Sequence, residues 1–319
     1  TAFWYRAAGL INPFLLQDPP TMDQVRAQAQ SRGDEALLDR LLTASVADLC
    51  AEYFEDPRIW PAVAHVQDIG DPWAPGSAWT DALFHCNYFV DVGNAVVTGG
   101  MGAITQAMAR AATVRGAEIR TGAEVSRILV NDGRVRGARL TAGQELTAAT
   151  VLSNADPKRT YLRLLEPGTL PSGFRERVEG LSTRTAYLKF HSVMGRLPDI
   201  SRYLNRSPEP RDVAFIKVAP SLEHYRTAYQ QAMRGEPARE PIVELQIPTV
   251  YDASLTAKDG HVVSIWVLYA PPKLASGTWD ERRQQVGVVG MKRAETDRVR
   301  SERRLDVGYP VIQRAAHVS

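Results

Sequence analysis

One run orders the possibilities for this chain more than any other: a glycine cluster, Thr98-Gly99-Gly100-Met101-Gly102, then a helix, a short strand and a β-hairpin. Ile104, Ala107, Met108, Ala111 and Ala112 recur at helical spacing, and Arg115-Gly116 closes that helix. Glu118-Ile119-Arg120 alternates as a short strand, and Val125 to Val130 forms a second. Asn131-Asp132-Gly133 is a hairpin turn, because an Asp-Gly pair tolerates positive φ. Val135 to Leu140 and Glu145 to Leu152 are the returning strands.

That order argues against a self-sufficient nicotinamide site. "AVVTGG" is strand-like and a helix follows, but the dinucleotide fingerprint needs Gly-x-Gly-x-x-Gly/Ala and a crossover helix after its second strand. Here Gly100-Met101-Gly102-Ala103-Ile104-Thr105 puts a β-branched residue where helix and strand must pack closely, and a hairpin takes the place of the crossover. The glycine spacing of NAD-dependent short-chain dehydrogenases also fails, at Ala103 and Thr105. Glycines so dense instead let the backbone approach a flat ligand edge, next to the free amides of a helix N-terminus.

The flanking text is of two kinds. Residues 10–70 read as helices: Thr21 is an N-cap after Pro19-Pro20, Leu37, Leu38, Leu41 and Leu42 share a face, and Ser45-Val46-Ala47-Asp48 starts a helix running to about Phe54. Asp71 to Ser77 is loop-like, and residues 79–92 form an aromatic-rich helix. Beyond Asn154-Ala155-Asp156-Pro157, strands are predicted at Ala186–Val193, Val213–Val218, Ile242–Ile247 and Val262–Tyr269, with a helix from about Ser221 to Met233. Four strands with few crossovers predict an antiparallel sheet. From about Gln285 the text is basic and keeps no period, so it reads as a solvated tail or a wrongly translated end.

Composition narrows the class of function. The chain has 319 residues, 44% apolar and 23% charged, with a formal net charge of +2, which argues against nucleic acid as a partner. Cys50 and Cys86 lie far apart with no CxxC pair, so neither a disulfide framework nor a metal site is predicted, and a reducing cytoplasmic setting is expected. No apolar run approaches the roughly 18–20 residues of a transmembrane segment. The opening Thr1-Ala2-Phe3-Trp4 lacks an initiator Met and a signal layout, so the chain is expected to start inside a longer reading frame. A homo-oligomer is compatible with all of this.

"GGMGAITQAMARAA", "RGAEIRTGAEVSRILV", "NDGRVRGARL" and "VLSNADPKRT" together resemble the central segment of phytoene desaturase-like flavin-dependent oxidoreductases, and within them the pyridine nucleotide-disulfide oxidoreductase domain-containing branch. The resemblance extends through "LLQDPPT", "TASVADLCAEYFEDPRI", "DPWAPGSAW", "EPIVELQIPTVYDASL" and "HVVSIWVLYAPPKLASGTWDERR". It implies an α/β (α+β) two-domain flavoprotein fold, here a partial FAD/NAD(P)-binding domain with a mixed or antiparallel-sheet and helical substrate domain. By that analogy residues 1–94 are the helical part of the substrate domain and 95–157 the central part of the FAD domain. Residues 158–284 are then the sheet-and-helix part of the substrate domain, and 285–319 the irregular basic tail. Val125 meets the adenine through its backbone, Asn154 and Ala155 line the FAD cleft, and Gly99, Gly100, Met101 and Gly102 approach its flavin side.

The implied activity is FAD-dependent dehydrogenation, desaturation or isomerisation of an apolar small-molecule substrate. The family's N-terminal Gly-x-Gly-x-x-Gly loop and its C-terminal Gly-Asp segment are not found, so FAD binding by this chain alone is expected to be weak or absent. The alternative is a non-catalytic binding or interaction protein derived from the substrate domain.

No catalytic residue is assigned. Asp81 and His85 share a helical face near Cys86 and Tyr88, which fits an acid–base pair but fits a buried, hydrogen-bonded His better. His191, alternating with Tyr187 and Lys189, reads as a sheet-face residue. Trp73, Trp79, Phe84, Tyr88 and Phe89 suit an apolar cavity or a packed core equally, and Cys50 reads as a small buried hydrophobe. No Ser-His-Asp, HExxH or paired-carboxylate pattern occurs.

Overall fold

The computed structural model describes residues 2–64, 70–86, 96–182, 186–256 and 260–282, without the side chains of residues 84–86, 186 and 202. In chain order the helices are α1 (Ala2–Ile11), α2 (Met22–Arg32), α3 (Glu35–Thr43), α4 (Val46–Tyr53), α5 (Trp60–Val63), α6 (Ser77–Cys86), α7 (Met101–Val114), α8 (Ser172–Glu179) and α9 (Leu222–Met233). The strands are β1 (Val125–Asn131), β2 (Arg134–Leu140), β3 (Glu145–Thr147), β4 (Ala186–Met194), β5 (Phe215–Val218), β6 (Ile242–Gln246) and β7 (His261–Ala270). The chain divides into two compact units, Thr1–Met101 with Arg184–Ser319, and Gly102–Thr183.

In the first unit the helices start where local chemistry tells them to. Thr21 and Gln24 form a capping box before α2, and Ser45 and Asp48 form another before α4. The Ser45 hydroxyl and amide both donate to Asp48, holding its carboxyl below the usual carboxylate range. The leucines of α3 then meet α1, α2 and α6 in one core, in which Leu10, Leu38 and Leu41 are fully buried. Asp34, buried between these helices, is held by Arg6 at 2.5 Å and Arg32 at 3.2 Å.

The sheet of this unit has the order β4-β7-β6-β5, antiparallel throughout. Alternation gives it two faces. Val243, Leu245, Val263, Ile265 and Val267 point into one apolar core. Ile242 and Leu268 pack on the opposite face with Leu222, Tyr225 and Ala228 of α9 and with α4. On that second face Lys217 and Glu244 stand in register on β5 and β6, with Nζ 3.2 Å from Oε1 and Glu244 only 1% exposed.

The second unit carries the three-stranded sheet β1-β2-β3. Its hairpin turns at Asp132 and Gly133, with φ of 49° and 71°, as the Asn-Asp-Gly text predicts. Two expectations need correcting. Glu118–Arg120 is not a strand: a strand requires a hydrogen-bonded neighbour, none pairs with it among the described residues, and its two charged ends pair with each other at 2.6 Å. The return after Glu145 is a strand only to Thr147, with one further bond, from the Ala148 amide to Arg136 O at 2.9 Å, beyond it. The helix expected after the glycine cluster is α7, ending before Arg115-Gly116 as read from the sequence; among the described residues none of its side chains is buried, and Met108 is 66% exposed. In the first unit β5 begins at Phe215 rather than Val213, since Pro210–Val213 is a 3-10 turn capped by Glu209.

Two outcomes are expected from these contacts. Lys217→Met leaves the Glu244 carboxylate buried without its cation and lowers the free energy of urea unfolding by about 3–5 kcal/mol. Burial, reinforced by the nearby Asp81 charge, pushes the Cys50 thiol up to about 12. Peptide mapping after alkylation near neutral pH should therefore find Cys50 unmodified until the chain is unfolded.

Candidate functional site

The glycine cluster begins as a turn. Gly100 N–H donates to Val97 O at 2.9 Å, and Gly99 and Gly100 have φ of 80° and 78°, a conformation that side chains with a Cβ resist. Gly99 N–H is itself engaged, donating to Asp252 Oδ2 at 2.6 Å. The Asp252 carboxyl is held below its ordinary range by the Ser254 hydroxyl, the Gly99 amide and the Ser254 amide, in that order. A Cβ on Gly100 would come 3.1 Å from the Leu255 side chain. At Gly102, which opens the second unit, nothing stands within 4 Å of an added Cβ. Asp252 lies 153 residues from Gly99, and no local pattern in the sequence marks it.

Val125, Asn154 and Ala155 come together in the second unit, where they line a cleft of about 610 Å³ with Ser126, Arg159 and Arg163. Its wall is a turn knitted by side chains. Ser153 Oγ and Thr160 Oγ1 are 2.8 Å apart, the Ala155 amide donates to Ser153 Oγ, Thr160 Oγ1 donates to Ala155 O, and the Arg159 amide donates to Asp156 Oδ1. On the other side β1 is an outer strand of its sheet, joined on its far edge to Leu164 O by the Ile128 amide at 2.7 Å. The cleft therefore combines the backbone of an outer strand with two guanidinium groups of the type suited to an anion. Gly99, Gly100 and Met101 belong to the other unit.

A second cleft, of about 580 Å³, runs along the edge strand β5 and is lined largely by apolar groups, among them Ile200, Tyr203, Phe215, Val218 and Pro220. Trp73 and Trp79 pack against the two helical cores, and Arg226 lies 5.2 Å over the Trp73 ring. Asp81 is buried on α6. The side chains of Phe84, His85 and Cys86, and residues Tyr88, Phe89 and 285–319, lie outside the described residues. His191 sits exposed on β4. Among the described residues no group of His, Cys, Asp and Glu could hold a metal ion, and no helix is long and apolar enough to cross a membrane.

Residues 21–195 match the family described as flavin containing amine oxidoreductase. The chain is 33% identical over 257 residues to pyridine nucleotide-disulfide oxidoreductase domain-containing protein 2 of Rattus norvegicus, covering 76% of this chain and 44% of that protein. It is 27% identical over 230 residues to the zeta-carotene-forming phytoene desaturase of Myxococcus xanthus, covering 70% of this chain and 40% of the enzyme. It thus spans less than half the length of these curated relatives. An oxidoreductase from Methanosarcina mazei has the same fold, with a TM-score of 0.53 at 16% identity over 87% of this chain and 57% of that one.

Replacing the turn's carboxylate tests what holds Gly99. Asp252→Ala should raise the hydrogen-exchange rate of the Gly99 amide about tenfold, the loss expected for one charge-assisted bond. In the unmodified protein the same loosening should set in only as pH falls below the usual carboxylate value of 3.8, because a depressed pKa keeps the bond until the carboxylate is protonated.

Proposed function

The chain belongs to the flavin containing amine oxidoreductase family, and from that premise we propose that it carries part of an FAD site and part of the substrate chamber of an oxidoreductase. The reaction is dehydrogenation, desaturation or isomerisation of an apolar small molecule. The observation that carries the reading is the cleft shared by Val125, Asn154 and Ala155, which fits a flavin nucleotide in its donor set. Val125 on the outer strand offers backbone groups to the adenine, the Asn154-Ala155 turn supports it, and the Arg159 and Arg163 guanidiniums suit the diphosphate. In this reading residues 95–157 are FAD-domain sequence, and the helical and sheet segments on either side are substrate-domain sequence.

FAD supplies the hydride acceptor when bound, so the chain's own task is to bind, orient and keep water out. The β5 cleft supports an apolar substrate, because its lining offers contact area and few polar groups to satisfy. The desaturase of Myxococcus xanthus, named for phytoene, supports the same substrate class.

Hydrogen exchange of the chain in about 1 mM ligand tests the cofactor assignment, a concentration that reveals even weak sites. FAD should protect the amides of residues 125–126 and 153–155, whereas NADH should not. Ala155→Trp, which fills the cleft, should remove the protection. Protection by NADH, or FAD protection confined to other segments, would overturn the reading.

A further inference from the structure

Register across the four-stranded sheet aligns Lys189, Trp266, Glu244 and Lys217 in one row on one face. Glu244 and Lys217 neutralise each other. Lys189 has no such acid: among the described residues it enters no ion pair, and its ammonium lies 3.6 Å from the centroid of the Trp266 ring. The neighbouring row on the same face is His191, Ser264, Gln246 and Phe215. The two rows therefore carry an excess of one positive charge with His191 neutral.

Two polar atoms on this face also want a partner. Ser264 Oγ and Trp266 Nε1 are buried and make no hydrogen bond, and Ser264 as a whole is only 7% exposed. Buried donors left unmatched are unfavourable and rare, so each needs an explanation. Tyr187, with its ring 4.3 Å from that of Trp266, and Phe215 border the rows and are 45% and 49% exposed. Burial lowers the pKa of Lys189, and burial together with the Lys189 charge lowers that of His191. The Lys189 direction marks an ammonium already stripped of part of its water, and the His191 direction keeps that ring neutral.

We propose that this face binds the carboxylate of an amphipathic, long-chain carboxylic acid, with Lys189 as its charge partner, Ser264 and Trp266 as neutral donors, Tyr187 against its first carbons, and Phe215, at the opposite edge of the sheet, against its tail. One ammonium and two neutral donors suit a monoanion with two oxygens better than a phosphate, which draws on more charge. Binding there exchanges the cation–π contact of Lys189 with the Trp266 ring for an ion pair and gives the buried Ser264 Oγ and Trp266 Nε1 an acceptor. The inference deepens the apolar-substrate reading and rests on it: the substrate has an acidic end.

Isothermal titration of the whole chain with dodecanoate and with dodecan-1-ol, at about pH 7 where the acid is ionised, tests this without any flavin. Dodecanoate should bind on the order of tenfold more tightly than the alcohol. Lys189→Met should erase that preference and leave the alcohol's affinity unchanged, which also reports that the variant is folded, while Lys189→Arg should retain it. Ser264→Ala should weaken dodecanoate by a few-fold, about what one neutral hydrogen bond contributes. Equal affinity for acid and alcohol in the unmodified chain, or a preference that survives Lys189→Met, overturns the carboxylate site and leaves the apolar chamber standing. Binding of neither ligand overturns both.

Discussion

Glu244 is a carboxylate sealed inside a β-sheet, and the sheet's arrangement answers to it. Removing such a charge from water is costly unless a cation meets it, and Lys217, one strand away and in register, is that cation. A slip of one residue between β5 and β6 would send Lys217 to the apolar face and Val218 or Ile216 to Glu244. The pair thus sets the register of the edge strand. Tyr225 of α9 lies beneath the Lys217 ammonium, 5.8 Å from ring centroid to Nζ, so the same pair also relates the helix to the sheet.

The consequence is a sheet with unlike faces. One is closed by Val243, Leu245, Val263, Ile265 and Val267, and it supplies cohesion. The other is apolar only where α4 and α9 cover it, around Ile242 and Leu268. Along the rows of Lys189 and His191 it is polar, aromatic and partly open, the character of a binding floor rather than of a core.

The second unit works by shorter-range means. Its cleft is shaped by a turn in which Ser153, Asp156 and Thr160 satisfy backbone and side-chain groups within a few residues, beside a hairpin whose reversal Asp132 and Gly133 permit. Such turns form from local sequence, so the turn at Asn154-Ala155-Asp156-Pro157 is legible in it, whereas only the family resemblance set that turn and Val125 in one cleft. The helical caps at Thr21 and Ser45 were legible for the same reason. Glu118–Arg120 misled because alternation describes a strand's faces and says nothing of whether a neighbour exists to bond its edges. At α7 periodicity gave the helix and its apolar side, and it says nothing of what lies against that side.

By itself the sequence determined the local grammar: caps, hairpin turn, helical faces, the four strands after residue 185, and the departure of Gly100 to Thr105 from a nicotinamide loop. These depend on side chains a few residues apart, where torsional preference and short hydrogen bonds decide the outcome. Tertiary structure alone decided that Asp252 takes the Gly99 amide across 153 residues, and that Lys189, Trp266, Glu244 and Lys217 share a row. Strand register is a long-range choice, made by burying one face and neutralising one charge together, and no window of neighbouring residues contains both terms.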